Sequence, residues 1–195
     1  MKNLQVRIKT DLSTEPVTAV EAKNFCKVTT TADNDLFTIL IKAARRSLEQ
    51  FTSSSFAEKT IHATWIKMPE DNELELPYGP IISVDAVYWI DSEGTETEAT
   101  LNTDYWVLGD QDLVVKVSNR WSSGWVSTDQ SVRVEYTAGY GDTLTQTLPE
   151  ELKLAIMKQI ATDYEMREDV APGGVTVLSN ESKRLAAPYR KKLWF

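Results

Sequence analysis

The feature that most constrains this chain is a change of hydrophobic period within the run from Val132 to Leu152. From Val132 to Thr137 apolar residues alternate with Arg133, Glu135 and Thr137, the period of a strand with one buried face. Gly139 and Gly141 follow, and glycine ends such a strand because it enters positive φ without a Cβ penalty. Thr147 and Glu150 then stand at capping-box spacing, with Pro149 in the first helical turn, where a missing N–H is harmless. The chain passes here from sheet to helix, and the joint is expected to set the angle between the two. It does not read as a ligand loop. Gly139-Tyr140-Gly141 is followed by neither a third glycine nor the Lys-Ser/Thr of phosphate-cradling loops.

Upstream of the joint the texture changes once more, near Thr60. Residues 1–16 are mixed, with a short alternating piece of Leu4, Val6 and Ile8. This reads as an arm that adds a strand to something or lies extended on a neighbouring subunit. Thr18 and Glu21 form a capping box, with Val17 and Ala22 placed for a hydrophobic staple. A short helix burying Ala22 and Phe25 is predicted, ending near Lys27. Asp33 is placed to cap a longer second helix. In it Leu36, Ile39, Leu40, Ala43, Ala44, Leu48 and Phe51 recur at helical spacing, with Lys42, Arg45, Arg46 and Glu49 on the solvated side. From Ile61 onward several alternating runs are separated by turn residues, including Ile82–Ile90 and the Asp91-Ser92-Glu93-Gly94-Thr95 turn. Strands at short spacing with no helical segment between them predict an antiparallel sheet or small sandwich. A last helix runs from about Pro149 to Arg167, with Leu152, Ala155, Ile156, Ile160 and Tyr164 on one face. A short segment at 181–187, stopped by Pro188, follows the break at Pro172-Gly173-Gly174.

The predicted fold class is therefore α+β: a helical core, made of an N-terminal helix hairpin and a C-terminal helix, with an inserted antiparallel β-sheet subdomain. The expected organisation is an N-terminal arm at 1–16, a helical core at 17–56 and 148–190, a β subdomain at 60–137, and a C-terminal tail at 191–195.

Charge and composition exclude several function classes. A net charge of −8 and a pI near 4.8 argue against a surface built to grip nucleic acid, although an acidic wall is compatible with DNA sliding through a channel. Cys26 is the one cysteine, so there is no intrachain disulfide and no thiolate metal site. The N-terminus lacks a signal peptide's apolar core, and no apolar run approaches the roughly 20 residues that span a bilayer. A soluble protein made in a reducing cytoplasm is expected, with no membrane partner.

No constellation for catalysis stands out. His62 is the only histidine and sits in a predicted strand without a neighbouring nucleophile, which reads as structural. Asp33-Asn34-Asp35 lacks the glycine and terminal glutamate of a calcium loop, and helix capping explains it better. The sequence implies no catalytic residue, cofactor or metal site. The basic C-terminus is different. Lys183, Arg184, Arg190, Lys191 and Lys192 concentrate positive charge, and Leu193-Trp194-Phe195 adds aromatics. Tails are commonly inert, but aromatic and arginine side chains also anchor interfaces. Trp121 and Trp125 in a glycine–serine loop read as a second contact or as partly buried core.

The ordered set of these signals resembles the head–tail connector (adaptor, or head-completion) proteins of tailed bacteriophages, the gp6-like class. The pieces that carry the likeness are Val17–Lys23, Asp35–Arg45 with Leu48-Glu49, Leu76–Val84, Val132–Gly141, Leu148–Ile156 with Tyr164–Arg167, and Leu185–Arg190. The resemblance implies a non-enzymatic virion protein at the head–tail interface. It would form a ring, commonly of twelve copies, beneath the portal and continue the channel for double-stranded DNA without reading its sequence. The implied partners are further copies of itself, the portal protein, and a tail or stopper (tail-terminator) protein. It assigns the portal contact to Tyr189, Arg190, Lys191, Lys192, Leu193, Trp194 and Phe195. The β region departs from shorter members of the class. The alternatives are a tail-completion or tail-terminator subunit and, in a different class, a carbohydrate hydrolase with paired carboxylates in the β region.

Overall fold

A computed structural model describes residues 4–10, 14–69, 72–109, 114–117, 120–121, 124–125, 131–140, 147–166 and 178–191. These residues form two compact units. One is helical and one is an antiparallel β unit lying between the helical segments in sequence, so the fold is α+β.

The helical unit comprises residues 13–57 and 140–192. Its helices are α1 (Ala19–Phe25), α2 (Asn34–Thr52), α3 (Glu150–Glu165) and α4 (Asn180–Ala186), followed by a 3-10 turn at Ala187–Tyr189. The capping box of α1 forms as the spacing predicts. The Thr18 hydroxyl accepts from the Glu21 N–H (3.2 Å), while the Thr18 N–H donates to Glu21 Oε2 (2.8 Å). Val17 and Ala22 are buried, but Phe25 is exposed. The inward stripe runs through Ala19, Ala22 and Cys26, which leaves Phe25 at its margin. The buried stripe of α2 is Phe37, Ile41, Ala44, Leu48 and Thr52, with Arg45 and Glu49 beside it. This stripe is rotated from the predicted one, so Ile39 and Ala43 face solvent. Asp33 holds the N-cap position without a side-chain cap bond. Its carboxylate instead accepts from the Tyr164 hydroxyl (2.8 Å), whose ring lies 4.9 Å from that of Phe37.

Helix α3 starts later than the capping box predicts. Pro149 is its N-cap, and the Pro149 carbonyl accepts from Leu152 and Lys153. The reason is steric: a residue before proline avoids the α region, so Leu148 cannot be the first helical residue. Leu152, Ala155, Ile156 and Ile160 are buried, as predicted. Gln159 is buried with them and joins α3 to α4. Its side-chain oxygen accepts from the Ser179 N–H (2.8 Å), and the Ser182 hydroxyl donates to the Ala155 carbonyl (3.0 Å). Buried polar groups are tolerated when each finds such a partner.

The β unit takes residues 58–139 together with the N-terminal segment. Its strands are β1 (Leu4–Thr10), β2 (Lys59–Trp65), β3 (Glu73–Glu75), β4 (Ile81–Ile90), β5 (Glu96–Glu98), β6 (Tyr105–Leu108), β7 (Val114–Val117), β8 (Arg120–Trp121), β9 (Gly124–Trp125) and β10 (Ser131–Ala138). A five-stranded sheet has the order β1-β2-β10-β4-β5, a three-stranded sheet the order β3-β7-β6, and β8 pairs with β9. Within the segment expected as an arm, the Leu4, Val6, Ile8 alternation forms an edge strand antiparallel to β2. Val132, Val134, Tyr136 and Ala138 of β10 are buried with Ile61, Ala63 and Trp65 of β2. The same cluster takes in Leu74, Tyr105 and Val115 of the smaller sheet. The buried Tyr136 hydroxyl donates to the Pro77 carbonyl (2.7 Å). Gly139 has φ +125 and donates its N–H to the Pro80 carbonyl (2.8 Å); the chain leaves the β unit there. The Asp91–Thr95 turn is built as expected. Gly94 has positive φ, and Asp91 Oδ1 accepts from the N–H groups of Glu93 and Thr95.

Candidate interaction surfaces

The C-terminal segment is fastened to the end of α2. A helix leaves its last carbonyls without intrahelical partners, and the Lys191 N–H donates to one of them, that of Thr52 (2.8 Å). The Ser54 hydroxyl donates to the Tyr189 carbonyl (3.3 Å), and the Tyr189 hydroxyl to Glu151 of α3 (2.9 Å). The Arg190 guanidinium sits 5.5 Å above the Phe51 ring, within cation–π range. No basic residue occupies the last turn of α2, so Arg190 and Lys191 bring to its negative end the charge that end favours. The backbone hydrogen bonds of Glu151, with the Tyr189 hydroxyl second, lower the pKa of its carboxyl. Of the residues assigned to a portal contact, Tyr189, Arg190 and Lys191 thus form one base on the helical unit. Lys192, Leu193, Trp194 and Phe195 lie outside the described residues. Of the other basic residues near the tail, Arg184 is tied to Glu181 (3.1 Å) on the surface of α4.

The five-stranded sheet carries charge on the face away from its core. Arg133 of β10 forks onto Glu96 of β5, with Nη2 2.7 Å from Oε2, and the same Nη2 lies 3.2 Å from Glu135. Its guanidinium also stacks 4.6 Å above the Tyr88 ring of β4. Glu135 stands 3.4 Å from His62 Nε2 on β2 and 3.9 Å from Lys9 on β1. His62 is thus part of a cross-strand charge network. Burial lowers its pKa, and the Glu135 carboxylate opposes that shift. Alternation in Val132–Thr137 signalled a polar face, but pairing across four other strands is what assembles the network.

The basic group on α2 divides. Lys42 and Arg46 are exposed, as predicted, whereas Arg45 is buried. Its Nε and Nη2 reach both oxygens of Glu15 (2.7 and 3.2 Å), and its Nη1 reaches Glu49 (2.8 Å). Glu49 also accepts from the Phe56 N–H (2.8 Å). Arg45 therefore ties both flanking segments to α2. Period counting put it on the solvated side because it treats charge as exposed. The missed signal was Glu15, thirty residues away in sequence.

Trp121 and Trp125 lie in the β8–β9 pair, where Arg120 opposes Trp125 and Trp121 opposes Gly124, and not in an open loop. Among the described residues no group of three or more His, Cys, Asp or Glu side chains could hold a metal ion. No helix of the described residues is long and apolar enough to cross a membrane.

No protein-family model matches the chain, and no curated protein does. Solved structures do. The chain is similar to a component of the neck of an empty gene transfer agent (GTA) particle computed with C6 symmetry, with a TM-score of 0.74, 19% identity, and 98% of this chain and 97% of that one covered. A component of the virion of the native GTA particle gives 0.71, 19% and 97% of both chains. A component of the neck of the native particle, computed with C12 symmetry, gives 0.65, 18%, 98% and 97%. At such identities the likeness is one of fold, and it spans the helical and β units alike.

Proposed function

We propose that this chain is a structural virion protein of the head–tail connector class, forming a ring beneath the portal that joins head to tail and continues the DNA channel. The observation that carries this reading is the near full-length fold likeness to proteins of GTA neck and virion structures. The β unit, which shorter connectors lack, is covered by the same matches. The C6 and C12 symmetries of the matched necks support a closed homo-oligomer, and twelve copies is the number proposed here. The acidic net charge suits a wall that DNA passes without sticking. No enzymatic step is assigned.

The proposed portal contact is the C-terminal segment Tyr189–Phe195. Its base is held by Thr52, Ser54 and Glu151, so the residues beyond Lys191 start from a fixed point on the helical unit. The proposed partners are the portal on this side and a tail or stopper protein on the other. Single-particle imaging of virions carrying the chain tests the reading. A ring of twelve copies directly below the portal is expected. A ring found only at the tail tube moves the assignment to a tail-terminator subunit, and virions without the chain that still retain DNA and join tails overturn it.

A further inference from the structure

The two edges of the five-stranded sheet are unlike each other in a way that fits one edge to the other. At one end, among the described residues, β1 is paired to β2 on one side only. Its sequence, Leu4-Gln5-Val6-Arg7-Ile8-Lys9-Thr10, contains two cations and no acid. At the other end β5 and the turn before it carry Asp91, Glu93, Glu96 and Glu98, and no cation occurs between Asp91 and Leu108. Register places Arg7 of one edge and Glu98 of the other on one face. Arg7 opposes His62, which opposes Glu135; Glu98 opposes Tyr88, which opposes Arg133. Arg7 and Glu98 therefore share the polar face, while Val6 and Ile8, opposite Ala63 and Ile61, share the core face. Yet Val6 is 38% and Ile8 52% exposed. A long alternating edge with uncovered apolar side chains is a template for another strand.

We infer that β1 of one subunit docks against the β5 edge of the next copy around the ring, with Arg7 and Lys9 facing the neighbour's Glu93 and Glu98. The inference rests on the ring reading and names the surface that closes it. Strand direction agrees with it. Every neighbouring pair in the sheet is antiparallel, so β1 and β5 run the same way. Subunits related by a small rotation about a ring axis keep that direction, so a β5-to-β1 contact forms a parallel pair. Val6 and Ile8 would then lie beside the small Thr97 on the core face. The competing arrangement, two β1 strands paired about a twofold axis, sets Arg7 near the second Arg7, and like charges facing each other are destabilising. A contact between unlike edges is the heterologous kind that closes into rings.

Charge exchange on the full-length protein tests this, with assembly read by mass photometry and folding by circular dichroism. Arg7→Glu/Lys9→Glu and Glu93→Lys/Glu98→Lys should each raise the half-assembly concentration by about tenfold or more while leaving the fold intact. The four substitutions combined should restore assembly, and wild-type assembly should weaken with salt. If the wild type forms rings and neither pair of substitutions changes them, this edge contact is wrong and the ring reading stands. A combined variant that stays as weak as its parents overturns the edge contact in the same way. If the wild type forms no ring, alone or in particles, both fall.

Discussion

Replacing Arg45 by methionine would remove the cation that holds Glu15 and Glu49 while keeping an unbranched apolar stem in its place. The Arg45 side chain is 2% exposed and that of Glu49 7%. The hydrogen bonds of Arg45 to Glu15 (2.7 and 3.2 Å) and to Glu49 (2.8 Å) would go. Glu49 would keep the Phe56 N–H but lose the Arg45 cation in a buried place, whereas Glu15, 22% exposed, can regain water. Breaking a buried pair by removing one partner costs roughly 3–5 kcal/mol. The exposure of Glu15 puts the expected loss near the lower bound, about 3 kcal/mol. Urea unfolding followed at 222 nm measures it in the helical unit. Among the described residues every tryptophan (Trp65, Trp89, Trp106, Trp121 and Trp125) belongs to the β unit, so their fluorescence reports the other unit separately. A second variant, Arg45→Met/Glu49→Gln, keeps an acceptor for Phe56 but no charge, and should regain about 1–3 kcal/mol. A loss under about 1 kcal/mol, the range of exposed pairs, would refute the reasoning. So would a double variant no more stable than the single one.

Three further outcomes are expected. Glu21 has its pKa lowered from 4.5 to about 2, chiefly by the Lys153 side chain and then by Thr18. A depressed carboxylate stabilises the fold above its unfolded pKa and loses that contribution as pH falls from about 4.5 towards 2. Glu21→Gln should therefore melt lower than wild type at pH 7 and converge with it at the acid end of that window; parallel curves would contradict the pairing. Tyr136→Phe leaves the Pro77 carbonyl without its buried donor and should cost about 1–3 kcal/mol, read by tryptophan fluorescence; an unchanged midpoint counts against it. Gly139→Val places a β-branched residue at φ +125 and should lower stability by about 1–3 kcal/mol or more, and a soluble variant with wild-type melting would show that the backbone relaxes there.

What could be read from the sequence depended on how local the determinant is. The capping box of α1 and the alternation of β10 are set by neighbours in sequence, and both form as predicted. The same holds for the Asp91–Thr95 turn, where one carboxylate organises its own backbone. Helix α2 shows the boundary of such reasoning. Its inward arc depends on which residues meet α3 and α4, and Phe37 and Ile41 prevail over Ile39. Strand β5 has no apolar alternation at all. Glu96-Thr97-Glu98 is extended through its pairing with β4 and the Arg133 fork, which no local window contains. Of the assigned C-terminal contact, charge and aromatic content were visible. That Tyr189, Arg190 and Lys191 close the end of α2 follows only from tertiary packing.

The central place of β10 in its sheet also governs the order in which the protein can fold as it is made. β2 and β4 are each bonded to β10 and not to each other, so neither has its inner partner until Ala138 has left the ribosome. Helix α2 packs with α3 and α4 in one core, and those helices are synthesised later still. A nascent chain that stops before Ser131 can hold α1 and α2, the β1–β2 pair and the smaller strands, but it closes neither hydrophobic core. Completion of both is deferred to the last third of synthesis, and until then the apolar faces of β2, β4 and α2 stand open together, when chaperone protection matters most.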